Sequence, residues 1–174
     1  MLNSINIAFE NAKKEKRPAL LTYIVAGDNN KKKSLEMLIS IAKYADILEL
    51  GIPHNALVAD GNQIQTSAYR AIENGIKVKD IFEIVKKFKK NKNSKPIILM
   101  GYYNMIYQNG ENNFLTRCKK AGVDGLIVVD LPWPENRTFA KKCKKKSIYF
   151  IQLLSPTTSK NRLKKIIKDS HPMN

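Results

Sequence analysis

The sequence contains no long apolar run, which excludes a protein that crosses a membrane by helices. No stretch of about 18 consecutive apolar residues, the length that spans a bilayer, occurs in the chain. The amino-terminal segment MLNSINIAFENAKKEKR carries amide, acidic and basic side chains where a secretory signal has an apolar core. We therefore expect a soluble, cytoplasmic protein without a membrane partner.

Cysteine is equally scarce, with only Cys118 and Cys143 in the chain. Neither belongs to a CxxC or Cys/His spacing that would hold a metal ion, so we predict no metal site. Two isolated cysteines in a cytosolic protein are typically reduced thiols, and a disulfide between them is the less favoured alternative.

Arginine is rare although the chain is strongly basic. The formal net charge is +16, yet only five of the 31 basic residues are arginine. Lysine lacks the planar guanidinium fork that specific base and phosphate recognition favours. The lysines are also scattered over every predicted helix instead of forming one patch. We therefore expect no nucleic-acid partner.

What the sequence does contain is an alternation of short β-branched runs with longer segments of helical period, joined by turn residues. Strands are predicted at residues 20–26, 47–50, 96–100, 125–129 and 147–153. Helices are predicted at residues 4–14, 31–45, 62–74, 78–90, 111–121, 134–145 and 158–169. The strands are apolar on both faces, which is typical of a parallel sheet covered by helices.

Two architectures repeat a strand followed by a helix: the open doubly wound sheet and the closed (β/α)8 TIM barrel. No GxGxxG motif follows the first strand, and VAGDNN offers one glycine, which disfavours a dinucleotide-binding sheet. A barrel typically needs about 250 residues and eight units. We therefore predict an α/β chain with a single incomplete barrel domain over residues 1–174: about the first five β/α units plus an amino-terminal helix.

Barrel enzymes place their chemistry at the carboxyl ends of the strands. The polar residues at these ends are Asp28, Glu49, Asp60, Tyr102, Asn104, Asp130 and Ser155. Polar residues also cap helices and form turns at these positions in any α/β protein. For Asp28, Asp130 and Ser155 this structural interpretation is the favoured one.

Glu49 differs from the others because it lies inside the apolar strand ILELG. Desolvation there would raise its pKa towards neutrality, where a carboxyl group can both donate and accept a proton. Asp60, in the loop VADG, would stay hydrated and ionised, and two carboxylates in unlike environments suit an acid–base pair. From these residues alone, a Glu49 held in a structural hydrogen-bond network is an equally good interpretation.

Six segments resemble, in order and spacing, the tryptophan synthase alpha subunit family. They are TYIVAGD (22–28), ADILELGIP (45–53), ADGNQIQ (59–65), PIILMGYYNMIYQNG (96–110), AGVDGLIVVDLP (121–132) and LLSPTT (153–158). The resemblance implies a (β/α)8 barrel that serves tryptophan biosynthesis. It also implies a retro-aldol lyase that cleaves indole-3-glycerol phosphate to indole and glyceraldehyde 3-phosphate, with no cofactor and no metal on this chain.

The resemblance also assigns roles to individual residues. Glu49 would be the catalytic acid and base, and Asp60 would hold and deprotonate the indole N–H. An apolar slot for the flat indole ring is expected from Tyr23, Met100, Tyr102, Val129 and Leu153.

The family's partner is the beta subunit, which carries pyridoxal phosphate and forms an alpha2-beta2 tetramer with the alpha subunit. The loop 53–60 and the stretch around Asn104 resemble the surfaces that dock on this partner. The pyridoxal phosphate is therefore expected on the beta subunit.

The loop before Asp60 departs from the family pattern Phe-Ser-Asp-Pro-Leu-Ala-Asp-Gly-Pro. It reads HNALVADGN, so that Ala56 replaces a carboxylate and both prolines are absent. Each lost proline makes ordering the loop costlier by about 0.5 to 1 kcal/mol. His54, a lone histidine in a loop, is expected to be solvated.

The family continues for roughly ninety further residues, which supply three strands, a mobile loop and a glycine-rich phosphate site. We therefore expect little or no lyase activity from the 174-residue chain alone. The alternative function is that of a truncated, noncatalytic remnant that at most binds the beta subunit.

Overall fold

Strands and helices follow one another along the chain in the order that the apolar pattern predicts, with one additional short helix after the third strand. The computed structural model describes residues 4–170. The elements are α1 (Ser4–Lys14), β1 (Leu21–Val25), α2 (Lys31–Ile41), β2 (Ile47–Gly51), α3 (Asn62–Glu73), α4 (Val78–Lys89), β3 (Ile97–Gly101), α5 (Tyr103–Gln108), α6 (Glu111–Ala121), β4 (Gly125–Val128), α7 (Arg137–Lys145), β5 (Tyr149–Ile151) and α8 (Lys160–Asp169).

The strands form one parallel sheet in chain order, β1-β2-β3-β4-β5. Parallel register places partner side chains on the same face, so each set of paired positions forms a row across the sheet. One such row consists of Tyr23, Glu49, Ile98, Gly125 and Tyr149. Because all strands run the same way, their carboxyl ends lie at one edge of the sheet.

The main apolar core lies on the face of the sheet opposite to that row. There Leu48, Leu50, Ile97 and Leu99 of the strands join one buried cluster with side chains of α2, α4, α6 and α7. The strands are apolar on this face because helices cover it completely.

The face that carries Glu49 is covered at its amino-terminal part by α1. Ile5 and Ala8 of α1 pack with Ile47, Ile98 and Ile127 of the sheet. On the neighbouring strands this cluster extends past Glu49, because Ile127 and the half-buried Met100 lie one row closer to the carboxyl-terminal edge.

A carboxylate ties two strands together at the amino-terminal end of the sheet. Asp46, just before β2, accepts from the guanidinium of Arg17 at 2.6 and 2.8 Å and from the Leu20 N–H, just before β1, at 2.8 Å. The two donors hold the pKa of Asp46 down at about 2, with the Arg17 hydrogen bonds as the main cause.

Asp124 repeats this arrangement before β4. Its Oδ2 atom accepts from Lys89 Nζ at 2.6 Å and from the Ile97 N–H, at the start of β3, at 2.9 Å. Its Oδ1 atom accepts from the Ser4 hydroxyl of α1. Both aspartates are therefore structural groups, and neither was singled out from the sequence.

Several element boundaries differ from the predicted ones, and α2 ends at Ile41, before its predicted end at residue 45. β5 is limited to Tyr149–Ile151 because only these residues pair with β4 and no further strand of residues 4–170 pairs with its other edge. α7 begins at Arg137 and not at residue 134. The side-chain amide of the preceding Asn136 donates to the Leu131 carbonyl and to Gln152 Oε1, which keeps that segment in a turn. α5 was not predicted at all.

Cys118 and Cys143 are free and buried in the main core, and burial is the main cause of the raised pKa of both thiols. No helix within residues 4–170 is long and apolar enough to span a bilayer.

Candidate active site

Glu49 lies in the middle of β2 with its side chain on the face that α1 leaves open. Strand register puts it between Tyr23 on β1 and Ile98 on β3. Its neighbours Leu48 and Leu50 point to the buried helical face, so the polar side chain occupies the one direction in which β2 is not covered. Sequence alternation along the strand therefore dictates where Glu49 points.

The Glu49 carboxyl group has no hydrogen-bond or ion-pair partner among residues 4–170. Burial raises its pKa above the ordinary value of 4.5. A structural hydrogen-bond network, the alternative that the sequence left open, is therefore absent from the part of the chain that the structure describes. The group has the environment of a proton-transfer residue.

Asp60 lies in the turn that precedes α3, at the same edge of the sheet. Its Oδ2 atom accepts a hydrogen bond from the Tyr102 hydroxyl at 2.8 Å, and the Ala59 N–H donates to the same hydroxyl at 3.1 Å. The Gln65 amide of α3 donates to the Asp60 carbonyl at 2.8 Å. The loop is thus held from both sides, by the residue after β3 and by the following helix.

Tyr23 lies close to both carboxylates. Burial, followed by the negative charges of Asp60 and Glu49, raises the pKa of its phenol to about 12. Its ring lies directly over Gly51, since a Cβ atom on Gly51 would come within 2.1 Å of the Tyr23 hydroxyl. Gly51 is therefore required by this close approach, a role that the sequence analysis did not identify.

Tyr102 follows β3 and is almost fully buried, with 4% of its surface exposed. His54 stacks on its ring, with ring centroids 5.4 Å apart and an angle of 22° between the planes. The Ala56 N–H donates to His54 Nδ1 at 3.0 Å. The expectation of a solvated His54 was wrong: the side chain is half-buried and has two specific contacts.

The other residues expected in the indole slot lie on or just beyond β3, β4 and β5. Met100 pairs with Gly51 and Ile127 on the Glu49 face and is half-buried. Val129, one residue beyond β4, is half-buried, and Leu153, two residues beyond β5, is 54% exposed. A cavity of about 680 Å³ lies between the 54–58 loop and α3, and its lining includes neither of the two carboxylates nor any residue expected in the indole slot.

Asn104, expected at a partner surface, lies on α5 and is exposed. Because α5 directly follows β3, Asn104 lies just beyond the carboxyl-terminal end of that strand.

The three polar residues given a structural interpretation have such roles. Asp28 pairs with Arg70 of α3 at 2.7 Å, and this contact is the main cause of its lowered pKa. Asp130 accepts from the Tyr103 N–H at 2.7 Å and so caps α5. Ser155 forms a turn with Thr158.

Comparison with known proteins relates this chain to one family. Residues 9–172 match the sequence profile of the family described as tryptophan synthase alpha chain. The tryptophan synthase alpha chain of Pelagibacter ubique is 73% identical over 172 residues, which are 99% of this chain and 65% of that protein. That of Pyrococcus furiosus is 44% identical over 148 residues, or 85% of this chain and 59% of the relative.

Solved structures of similar proteins have the same fold. The crystal structure of the tryptophan synthase alpha chain from Legionella pneumophila has a TM-score of 0.91 at 36% identity, over 98% of this chain and 64% of that one. The tryptophan synthase complex from Pyrococcus furiosus gives a TM-score of 0.84 at 43% identity, over 87% of this chain and 63% of the other.

The chain thus spans about 65% of the length of its Pelagibacter relative and 64% of the Legionella structure. Over that length the predicted TIM-barrel fold and the predicted family are both confirmed, with a parallel β/α sheet in the described residues. The chain belongs to the tryptophan synthase alpha chain family.

Proposed function

We propose that this chain carries the acid–base centre of a lyase that cleaves indole-3-glycerol phosphate to indole and glyceraldehyde 3-phosphate. The observation that supports this most directly is Glu49, a half-buried carboxyl group in the middle of β2 that has a raised pKa and no partner among residues 4–170. Family membership supplies the substrate and the reaction class.

The reaction requires one group that both removes and delivers a proton. Retro-aldol cleavage turns the glyceryl hydroxyl next to the ring into a carbonyl, which releases the hydroxyl proton. Breaking the carbon–carbon bond leaves its electron pair with the indole, and the indole ring carbon must gain a proton. A single carboxyl group whose pKa is raised by burial can serve both steps, which is the role we assign to Glu49.

Asp60 would accept the indole N–H, because electrons flow through the ring nitrogen while the ring carbon is protonated. Its hydrogen bond from Tyr102 fixes one carboxylate oxygen and leaves the other for the substrate. Tyr23, Met100, Tyr102, Val129 and Leu153 would form the walls of the indole slot, from positions on or just beyond four strands of the sheet. Glu49 and Asp60 then act on opposite parts of one flat ligand.

We further propose that the chain docks on a tryptophan synthase beta subunit in an alpha2-beta2 tetramer. Asn104 is exposed, and within the 53–60 loop residues 54–60 are exposed or half-exposed, which would place the indole slot next to the partner. A related structure describes mutual activation in the a2b2 complex of Pyrococcus furiosus. The pyridoxal phosphate would belong to the beta subunit, and the lyase step on this chain needs no cofactor.

The two buried free thiols fit a reducing compartment, and we place the protein in the cytoplasm. The described residues would form one barrel domain with the part of the relatives that this chain does not cover.

Indole release from indole-3-glycerol phosphate tests the lyase proposal. It is measured for the chain itself and for a chimera in which the remaining residues of the Pelagibacter relative follow it, each with and without beta subunit. We expect Glu49→Gln to lower kcat of the chimera by about a thousandfold, the middle of the range for loss of a general acid–base group. Asp60→Asn should also lower kcat strongly.

Glu36→Gln is the matched control, since Glu36 is an exposed acid on α2 far from the site. Turnover by the Glu49→Gln chimera at the rate of the Glu36→Gln chimera would refute the role of Glu49. If the chain alone releases no indole but raises the rate of the beta reaction, the noncatalytic, partner-binding function applies to the 174 residues.

Docking is tested separately by measuring beta-subunit binding to the Asn104→Ala variant by calorimetry. We expect weaker binding, because the variant removes an amide from the proposed contact. Indole release by the chimera without beta subunit should not change when it carries the same substitution. Equal affinity for wild type and variant would remove Asn104 from the proposed interface.

A further inference from the structure

The loop between β2 and α3 carries a chain of contacts that leads from His54 to Asp60. The His54 ring stacks on Tyr102, and the Tyr102 hydroxyl donates to Asp60 Oδ2 at 2.8 Å. The same hydroxyl accepts the Ala59 N–H at 3.1 Å. Tyr102 therefore holds both the carboxylate and the backbone beside it, and its own position matters for Asp60.

Tyr102 can make these two hydrogen bonds only when its ring has one orientation. The residue follows β3 and precedes α5, so its backbone is fixed by both elements. The ring is covered on one face by His54, and near-parallel packing at 5.4 Å restricts its rotation. Pro53 precedes His54, but residues 54–61 contain no proline that would fix the rest of the loop in another way.

The imidazole also stabilises the turn that follows it. Its Nδ1 atom accepts the Ala56 N–H at 3.0 Å, which closes a turn two residues long and sets the plane of the ring. The ring thus has two functions that can be separated: an acceptor for the turn and a surface for Tyr102.

We propose that His54 is a positioning residue, whose ring holds Tyr102 in the orientation that places the Asp60 carboxylate. Its meaning for catalysis rests on the function proposed above for Asp60, whereas the positioning itself does not. Aromatic character at position 54 is then the property that the site needs, and the Nδ1 acceptor serves the turn.

Two substitutions separate the two functions of the side chain. His54→Phe keeps a ring for stacking and removes the acceptor. His54→Asn keeps an acceptor for the Ala56 N–H, as in an Asx turn, and removes the ring. His54→Ala removes both, and Tyr102→Phe keeps the stacked ring but removes the hydroxyl. Tyr44→Asn, which removes a ring that is 80% exposed before β2, is the control.

Amide hydrogen exchange of Ala56 and Ala59, followed by NMR on the 174-residue chain, reports the two hydrogen bonds separately. We expect His54→Phe to speed exchange at Ala56 and to leave Ala59 unchanged. His54→Asn should do the reverse, with exchange at Ala59 faster by about fivefold, the equivalent of one aromatic pair. Tyr102→Phe should match His54→Asn at Ala59, and Tyr44→Asn should match wild type at both amides.

The second readout is indole release by the chimera that carries the remaining residues of the Pelagibacter relative. His54→Asn and His54→Ala should lower kcat by about fivefold with little change in KM, and His54→Phe should stay close to wild type. Wild-type exchange at Ala59 in His54→Asn, or fast exchange there in His54→Phe, would overturn the positioning role. Absence of turnover in the wild-type chimera would instead contradict the proposed function, and the exchange data would still decide the role of His54.

Discussion

The carboxylates at the two ends of the sheet have opposite surroundings. At the amino-terminal end, Asp46 and Asp124 each accept hydrogen bonds from a cation and from a backbone N–H at the start of the preceding strand. Towards the carboxyl-terminal end, Glu49 has no partner among residues 4–170. Paired acids fasten strands together, whereas an unpaired acid is left free to exchange protons.

The pKa of a carboxyl group is therefore shifted in opposite directions in these two parts of the sheet. Arg17 and a backbone N–H hold the pKa of Asp46 down at about 2, and burial without a donor raises that of Glu49. Stability and reactivity are divided between the ends of one sheet, as barrels generally divide them.

Removing the carboxylate of Asp124 should have the largest effect on stability. Asp124→Ala leaves Lys89 and the Ile97 N–H without their acceptor in a largely buried site. We expect the free energy of unfolding to fall by about 3 kcal/mol, measured by urea denaturation at pH 7. Glu36→Ala, at an exposed ion pair of α2, should change it by less than about 0.5 kcal/mol. A similar loss for both variants would mean that the amino-terminal acids are not special.

Alanine substitutions at two glycines test whether close packing, and not ion pairing, determines the arrangement of side chains towards the carboxyl-terminal end of the sheet. In Gly51→Ala the new methyl group would come within 2.1 Å of the Tyr23 hydroxyl, so the ring beside Glu49 must move. We expect a loss of about 2 kcal/mol by thermal unfolding and weaker binding of indole by calorimetry.

Gly61→Ala is the matched control for this substitution, because no atom lies within 4 Å of its Cβ position. It should change stability by less than about 0.5 kcal/mol. If both alanines are tolerated equally, the close approach of Tyr23 to Gly51 does not constrain the site.

The order of strands and helices could be predicted from the sequence, because apolar periodicity and glycine-terminated helices mark them locally. α5 could not be predicted, since its first N–H is capped by Asp130, 27 residues later in the chain. The short β5 likewise depends on how many residues find a partner strand. Tertiary contacts decide such elements, and a window of sequence does not contain them.

The candidate site divides in the same way. Glu49 could be identified because a charged residue interrupts an apolar strand, a signal that lies within five residues. The roles of Asp46 and Asp124 could not, since their cations lie 29 and 35 residues away and both aspartates look like ordinary turn residues. The stacking of His54 on Tyr102 was missed for the same reason.

Asp46 should make the stability of the chain depend on acid. Its pKa in the folded state is about 2, below the ordinary 3.8, so the stability it contributes is present above that range and is lost as the pH falls from 3.8 towards 2. Asp46→Asn should lower stability by about 1 kcal/mol at pH 7 and lack this loss at low pH. Unfolding curves at several pH values measure both effects. Parallel pH profiles for the two proteins would contradict the assignment.

Glu49 should give the smallest effect on stability, and one of opposite sign. Because burial raises its pKa in the folded state above 4.5, the folded chain binds this proton more tightly than the unfolded chain does. Wild-type stability should therefore decrease as the pH rises above 4.5, and Glu49→Gln should not show this decrease. We expect the variant to be equal to wild type at pH 4 and more stable by about 0.5 kcal/mol at pH 7.

The test of Glu49 is decisive because activity and stability should move in opposite directions. Neutralising a carboxylate that serves only structure lowers the stability of the protein, as expected for Asp46. If Glu49→Gln were less stable than wild type at pH 7, Glu49 would have a partner in the folded protein, and the contrast between the two ends of the sheet would fail. A more stable variant that releases no indole would support a carboxyl group kept unpaired for chemistry at some cost to folding.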